Sequence, residues 1–126
     1  MSATGPLSNS DGLTPSEFLE LADNEMTAGN GRRAAELLWK ATRETLLNLA
    51  QKRGLVCGDE GDDSLIALAS AMEKNGSASE YYYRGKVAAG SLLRDHADFD
   101  ALEDYELESA YKSARQFVVD WNSELN

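Results

Sequence analysis

Residues 30 to 54 combine apolar and charged positions in a pattern that repeats every three or four residues, as on an amphipathic α-helix. Small and apolar side chains fall on one side: Ala34, Ala35, Leu38, Ala41, Thr42, Thr45, Leu46 and Leu49. Charged and amide side chains fall on the other side: Arg32, Arg33, Glu36, Lys40, Arg43, Glu44 and Gln51. Because glycine commonly follows a helix, Gly54 marks the end, and we predict a helix that reaches Arg53.

Two shorter helices are predicted on either side of this long one. Thr14-Pro15-Ser16-Glu17 has the residues of a capping box with proline at the first helical position, and it opens a helix that extends to about residue 28. Gly29-Asn30-Gly31 then predicts a tight turn into the long helix. Asp62 or Asp63 can cap a third helix, which Asn75 and the following glycine end.

The remaining chain predicts a fourth helix and a long final one. Ser77-Ala78-Ser79-Glu80 repeats the capping-box pattern, and the fourth helix is expected to end between residues 96 and 98. Its apolar group consists of Tyr81, Tyr82, Gly85, Ala88, Ala89, Leu92 and His96. Tyr83 falls outside that group and is expected to face solvent. The last helix is expected to start at Asp100. Its apolar stripe consists of Leu107, Ala110, Tyr111, Ala114, Phe117, Val118, Trp121 and Leu125.

These five segments indicate an all-α protein. No segment alternates apolar and polar residues as a half-buried strand does, and the only prolines, Pro6 and Pro15, lie near the start of the sequence. A chain of 126 residues fits one domain. We therefore predict a disordered tail over residues 1–13 and a single domain over residues 14–126, folded as an up-and-down bundle of four or five helices.

Charge and cysteine content narrow the possible functions. The formal net charge of −10 disfavours binding to nucleic acid and to anionic membranes, because both require a positive protein surface. Cys57 is the only cysteine, so no disulfide forms within the chain, which favours a reducing compartment. The first residues lack the basic and apolar regions of a secretion signal, and no apolar run is long enough to span a membrane. We predict a cytoplasmic protein without a cofactor.

Two motifs resemble those of a known superfamily. Ala34, Glu36, Trp39 and Ala41 form an Ala-x-Glu-x-x-Trp-x-Ala pattern. This pattern follows a turn that contains glycine, and a later His-x-x-Phe element starts at His96. In these features the chain resembles the HEPN superfamily, and most closely its PaREP-type branch of small helical proteins. The resemblance implies a helical bundle that is commonly dimeric, in a superfamily that includes ribonuclease toxins partnered by nucleotidyltransferase antitoxins.

The catalytic motif of those ribonucleases is not matched in this chain. That motif has an arginine, four to six intervening residues and then a histidine, but the three positions that follow Arg94 at this spacing hold Phe, Asp and Ala. Arg84 lies twelve residues before His96, which is the only histidine. We therefore predict no catalytic residue. The alternative is a site in which His96, with Arg94 or Arg84, handles a phosphate group.

A structural role is the favoured interpretation of His96. On a helical wheel it lies with the apolar group, about 160° from Arg94, so the two side chains point to nearly opposite sides of the helix. We expect a histidine that is buried, or at an interface, with one hydrogen-bond partner. A single imidazole with scattered carboxylates gives no metal-ligand spacing, so no metal site is predicted.

Several apolar and aromatic residues are candidates for contact with another chain. The residues that fall outside the main apolar stripes are Leu37, Leu47 and Val119. Tyr81 and Tyr82 suit the core or a subunit interface, with stacking on nucleic-acid bases as an alternative. Trp39 lies at the edge of its stripe, where core packing is the first interpretation and a partner groove is the second.

The favoured function is that of a non-enzymatic, HEPN-like interaction module of unassigned biochemical role. It would form a homodimer or bind a partner protein such as a nucleotidyltransferase. The alternative is a divergent ribonuclease or toxin-type protein, or its nucleotidyltransferase-associated partner. A tetratricopeptide-like adaptor, suggested by the spacing near residues 34–41, is disfavoured because no 34-residue unit recurs.

Overall fold

The computed structural model describes residues 12–55, 62–75 and 82–125. Within these ranges the chain forms five helices: α1 (Pro15–Thr27), α2 (Gly31–Lys52), α3 (Asp62–Asn75), α4 (Tyr82–Phe99) and α5 (Asp104–Leu125). No strand occurs in the described parts of the chain. The prediction of an all-α helical bundle is confirmed, and the limits of α1, α2 and α3 agree with the predicted ones to within a residue or two.

Local hydrogen bonds and glycines define the ends of the first two helices. The Thr14 hydroxyl accepts a hydrogen bond from the Glu17 backbone N–H at 3.1 Å, and the Glu17 carboxylate accepts one from the Thr14 N–H at 2.8 Å. This reciprocal pair is the predicted capping box. Gly29 follows α1 with a φ of 88°, and Gly54 follows α2 with a φ of 78°. This left-handed conformation ends a helix and favours glycine.

The start of α5 differs from the prediction. We expected the last helix to start at Asp100, but it starts at Asp104. Asp100 has a φ of 55°, a left-handed conformation that ends α4 and is incompatible with the first turn of a new helix. Its backbone N–H donates to the His96 carbonyl oxygen at 2.8 Å, and the Leu102 N–H donates to the His96 ring. These two hydrogen bonds hold the segment after α4 as a connecting loop.

Contacts at the two ends of α2 give the directions of the helices. Arg32, near the start of α2, binds carbonyl oxygens at the end of α4, whereas Arg53, just after α2, lies over the ring of Tyr83 near the start of α4. These two helices are therefore antiparallel. Gly31 lies next to Leu107 at the start of α5, so α2 and α5 run in the same direction. With the tight turn between α1 and α2, the helices α1, α2, α4 and α5 alternate in direction, and α3 packs mainly on α4.

Two apolar clusters form the core. The first joins α1, α2, α4 and α5, and its buried members are Phe18, Ala22, Ala34, Ala35, Leu37, Leu38, Ala41, Leu93, Leu107, Ala110, Tyr111, Ala114 and Val118. The second joins α3 to α2, α4 and α5, and its buried members are Leu46, Leu49, Ala50, Leu65, Leu68, Ala69, Met72, Tyr83, Val87 and Phe117. Trp39 packs against both clusters and so connects the two halves of the bundle.

Two residues of α2 have environments that differ from those predicted. Leu37, expected outside the apolar stripe as a candidate for contact with another chain, is 3% exposed and belongs to the first cluster. Glu44, expected on the solvated side, is buried, and its carboxylate accepts a hydrogen bond from Arg43 at 2.9 Å. Both residues lie on the buried surface of α2 and not on the side predicted for them, because α2 contacts all four other helices and its buried surface is wider than one stripe.

The buried face of α4 is rotated from the predicted one. Tyr83, expected to face solvent, is 1% exposed and belongs to the second cluster. Gly85, Ala88 and Leu92, expected to be buried, are exposed. The buried residues of α4 are Tyr83, Val87, Ala89, Gly90, Leu93 and His96. Tyr83, Val87 and Leu93 together remove more apolar area from water than Gly85, Ala88 and Leu92 would, which is consistent with burial of their face.

Some predictions concern residues outside the described ranges. These are residues 1–11 of the predicted tail, Cys57, the capping box predicted over residues 77–80, and Tyr81. Leu13, the last residue of the predicted tail, packs against the first cluster, so the folded part includes at least this residue. No described helix combines the length and the apolar character needed to cross a membrane.

Candidate functional site

His96 lies near the end of α4 and is 5% exposed. Its Nδ1 accepts a hydrogen bond from the Leu102 backbone N–H at 3.1 Å, and the Asp100 carboxylate is 3.8 Å from the same nitrogen. Because Nδ1 is the acceptor, the proton of the neutral ring is assigned to Nε2. The imidazole therefore connects α4 to the loop that leads to α5, as expected for a buried histidine with one hydrogen-bond partner.

Arg32 also binds the end of α4. Its Nε and Nη2 donate to the Ala97 carbonyl oxygen at 3.2 and 3.0 Å, and its Nη2 donates to the Asp98 carbonyl oxygen at 3.2 Å. The last carbonyl groups of a helix have no partner within the helix and carry the negative end of its dipole, so a guanidinium stabilises them. No local pattern indicates this role, because Arg32 and Ala97 are 65 positions apart.

Arg94 is one of the two arginines proposed to act with His96 in the alternative catalytic site, but it contacts α2 instead. Its guanidinium carbon lies 5.7 Å from the centre of the Trp39 ring, within the range of a cation–π interaction. Its Nη2 is 3.9 Å from a carboxylate oxygen of Asp95. Neither contact involves His96, in agreement with the predicted opposite directions of the two side chains.

Arg84, the second arginine considered, joins α4 to α3. Its Nε donates to one carboxylate oxygen of Glu73 at 2.7 Å, and its backbone N–H donates to the other oxygen at 2.9 Å. The Glu73 side chain is buried, which strengthens such a charge-assisted hydrogen bond. His96, Arg94 and Arg84 therefore have different partners, and the contacts of the described residues do not bring them together in one site.

Three of the interface candidates are half-buried within the chain. Trp39 lies against Gly90, where an added Cβ would be 2.8 Å from the Cε3 atom of the ring. Leu47 packs against the second cluster. The Tyr82 hydroxyl accepts a hydrogen bond from the Trp121 Nε1 at 3.1 Å, and burial raises the pKa of this tyrosine. All three keep part of their surface in solvent, and their contact with another chain stays a prediction.

Aromatic rings at the start of α4 and the end of α5 pack against one another. The ring centres of Tyr82 and Tyr83 are 5.0 Å apart, and that of Tyr83 is 6.2 Å from that of Phe117. The Arg53 guanidinium lies 5.6 Å from the ring centre of Tyr83 and 5.7 Å from that of Trp121. Because Tyr83 is buried, its ring is not available to stack on a nucleic-acid base.

One side of α4 exposes a row of small and apolar residues with a single acidic member. These residues, which we call the α4 stripe, are Gly85, Ala88, Leu92, Asp95 and Phe99. Leu92 is 46% exposed, Phe99 is 76% exposed, and a Cβ added at Gly85 would meet no atom within 4 Å. The alternating steps of three and four residues are the spacing with which one helix packs along another.

The other exposed apolar residues of the described chain are more isolated. Leu21 on α1 and Ile66 on α3 are the only large apolar side chains exposed on their helices, within the ranges described. Tyr105 and Val119 are both exposed on α5, but they lie fourteen positions apart and charged and amide residues separate them. The α4 stripe is therefore the candidate functional surface.

Comparisons with known proteins add no relative. The chain matches no protein-family model, no curated protein and no solved structure. The resemblance to the HEPN superfamily thus rests on the sequence motifs alone and stays a prediction. In the residues that the structure describes, no three histidine, cysteine, aspartate or glutamate side chains are grouped to hold a metal ion. The feature of the described residues that can serve a function is the α4 stripe, an exposed surface on which another helix can pack.

Proposed function

We propose that this protein is a non-enzymatic, HEPN-like helical-bundle module of the PaREP type, which acts by binding another protein chain. The bound chain is a second copy of the protein or a partner such as a nucleotidyltransferase. The observation that carries the proposal is the α4 stripe, in which Leu92 and Phe99 are exposed on one helix face. An exposed apolar row along a helix is typical of surfaces that bind another helix.

The environments of the three candidate catalytic residues support a non-enzymatic role. A general base must reach the proton that it removes, directly or through one water molecule. The His96 ring is buried, and its acceptor nitrogen already accepts the Leu102 N–H. Arg84 binds Glu73, and Arg94 lies over an aromatic ring, so neither is directed at the imidazole.

An RNA cleavage assay tests the non-enzymatic part of the proposal. Purified protein and its His96→Ala variant are incubated with single-stranded RNA, and we expect both to leave the RNA intact. Cleavage by the wild-type protein that disappears in the variant would overturn the proposal, provided that circular dichroism shows an unchanged helical content. Arg84→Ala and Arg94→Ala variants would then identify the arginine that binds the phosphate.

Binding to a second protein is tested with variants of the α4 stripe. Where a nucleotidyltransferase is encoded beside this chain, the two proteins are co-expressed and separated by size. Leu92→Asp should abolish co-elution, whereas Leu21→Asp, a matched change at a leucine of similar exposure on α1, should preserve it. Wild-type protein that binds neither this enzyme nor a second copy of itself would contradict the proposed function.

A further inference from the structure

We infer that the chain bound by the α4 stripe is a second copy of this protein, with the two α4 helices antiparallel and Leu92 of each copy at the two-fold axis. This inference rests on the proposed function and names the partner and the geometry of contact. Its basis is the symmetry of the α4 stripe about its centre. Gly85 lies seven residues before Leu92, and Phe99 lies seven residues after it.

The sizes of the residues at the two ends of the α4 stripe are complementary in this arrangement. Seven residues of α-helix span about 10.5 Å, so an antiparallel pair centred on Leu92 brings Phe99 of each copy opposite Gly85 of the other. Phe99 is the most exposed large apolar side chain of the described chain, and the space above Gly85 is open. The large Phe99 side chain therefore packs over Gly85, which has no side chain, and the two-fold axis repeats this contact at the other end of the helix pair.

The charges beside the α4 stripe are arranged almost symmetrically about the same point, because Arg84 lies eight residues before Leu92 and Asp98 lies six residues after it. Arg84 and Asp98 lie on one flank of the stripe, fourteen positions apart, near its opposite ends. An antiparallel pair places Arg84 of each copy near Asp98 of the other, where opposite charges attract. Arg84 also binds Glu73, and its side chain remains 32% exposed, so the guanidinium can contact a second carboxylate from outside.

A parallel pair of the same helices would be unfavourable. It would place Phe99 against Phe99 at one end and Gly85 opposite Gly85 at the other, so the rings would crowd the first end and leave a gap at the second. In a parallel pair the same flank of the two helices lies on opposite sides of the interface, so Arg84 of one copy would lie far from Asp98 of the other and their attraction would be lost. Size and charge therefore both select the antiparallel arrangement.

The affinity of this dimer is expected to be moderate. The α4 stripe spans fifteen residues, or about 21 Å of helix, which is short for a protein interface. Each copy also carries a net charge of −10, so two copies repel one another at long range. We therefore expect a dimer that forms at micromolar protein concentrations and dissociates on dilution.

Sedimentation and light scattering of three proteins test this inference. Wild-type protein should change from the 13.7 kDa monomer to about twice that mass as its concentration is raised through the micromolar range. Leu92→Asp should remain monomeric with unchanged helical content, because it places two carboxylates at the two-fold axis. Leu21→Asp, at 41% exposure against 46% for Leu92, should dimerise like the wild type. A wild type that stays monomeric, or a dimer lost equally in both variants, would overturn the inference.

Disulfide cross-linking tests the direction of the helices in a background that carries Cys57→Ser. Leu92→Cys should cross-link to itself under mild oxidation, because the two Cα atoms lie near the axis, within the separation of about 7 Å that a disulfide tolerates. A mixture of Gly85→Cys and Phe99→Cys proteins should form the mixed dimer in preference to either symmetric one. Preferred symmetric cross-links at Gly85 and Phe99 would instead indicate parallel helices and overturn the inference.

The failure of this inference differs from the failure of the proposed function. A wild type that is monomeric, but binds a nucleotidyltransferase through Leu92, would overturn self-pairing and leave the proposed function in place. RNA cleavage that depends on His96 would overturn the non-enzymatic function, whatever the oligomeric state.

Discussion

Trp39 on α2 lies directly against Gly90 on α4, where a Cβ atom would be 2.8 Å from Cε3 and 2.9 Å from Cζ3 of the indole. This is the close helix approach that a glycine within a helix indicates. Arg94, one turn further along α4, covers the same indole with its guanidinium. Because Trp39 packs against both core clusters, a shift of its ring would disturb the packing in both halves of the bundle.

Gly90→Ala should therefore destabilise the protein. The added methyl group forces the Trp39 ring or α4 to move, a change that typically costs about 1 to 3 kcal/mol, whereas replacing glycine by alanine within a helix recovers about 1 kcal/mol. We expect a net loss of unfolding free energy in urea denaturation. Gly85→Ala is the matched control on the same helix: in the monomer its methyl group meets open space, so stability measured at protein concentrations too low for the dimer should rise by roughly 0.5 to 1 kcal/mol. Equal effects of the two changes would contradict this packing.

Acid should weaken the contact between α1 and α5. Asp23 accepts a hydrogen bond from the Tyr111 hydroxyl at 2.7 Å and accepts hydrogen bonds from the Arg115 guanidinium at both carboxylate oxygens. Burial raises the pKa of Asp23, but the hydrogen bonds and the charge of Arg115 outweigh it, so the net pKa is lowered. A lowered pKa in the folded state adds stability above the unfolded value of about 4, and this stability is lost as the pH falls below it.

Asp23→Asn should therefore reduce the difference in melting temperature between pH 7 and pH 3. Tyr111→Phe, which removes one of the two donors and leaves the Arg115 fork, should have an effect in the same direction that is smaller. Thermal unfolding at a series of pH values measures both. An unchanged pH dependence in Asp23→Asn would show that this carboxylate does not link folding to pH.

Leu37 and Leu47 were both predicted from the sequence as candidates for contact with another chain, but the structure indicates that their truncation has different effects on stability. Leu37→Ala removes a side chain that is buried in the first cluster and should cost about 2 to 5 kcal/mol. Leu47→Ala removes a half-buried side chain at the edge of the second cluster and should cost less. Chemical denaturation of both variants at low protein concentration makes the comparison. A larger loss for Leu47→Ala that depends on protein concentration would place this residue in a subunit contact.

The parts of the fold that are predictable from sequence are those that local interactions determine. The capping box of Thr14 and Glu17 and the glycines after α1 and α2 act within a few residues, and all lie where the pattern predicts. The start of α5 is different. It depends on the left-handed conformation of Asp100 and on a hydrogen bond to the His96 ring. The helix propensities of the residues around Asp100 predict neither feature.

The candidate surface was visible in the sequence, but its environment was not. Gly85, Ala88 and Leu92 do share one face of α4, as the helical period predicts, yet that face is exposed. Where a helix has apolar residues on two faces, the sequence pattern alone does not identify which face packs against the core. The ion pair of Asp23 with Arg115 is similarly hidden, because the two residues are 92 positions apart.

The hydrogen bond from Leu102 to His96 makes a last prediction about the role of the imidazole. His96→Leu keeps a buried side chain of similar size but leaves the Leu102 N–H without its acceptor, which should cost about 1 to 3 kcal/mol. His96→Asn has a short side chain with an amide oxygen that can accept the same N–H, so it should retain part of that stability. Hydrogen exchange of the Leu102 amide gives the local measurement: exchange should be faster in His96→Leu than in His96→Asn. The same exchange rate in the wild type and both variants would show that the imidazole does not hold this loop, and would leave His96 available for another role.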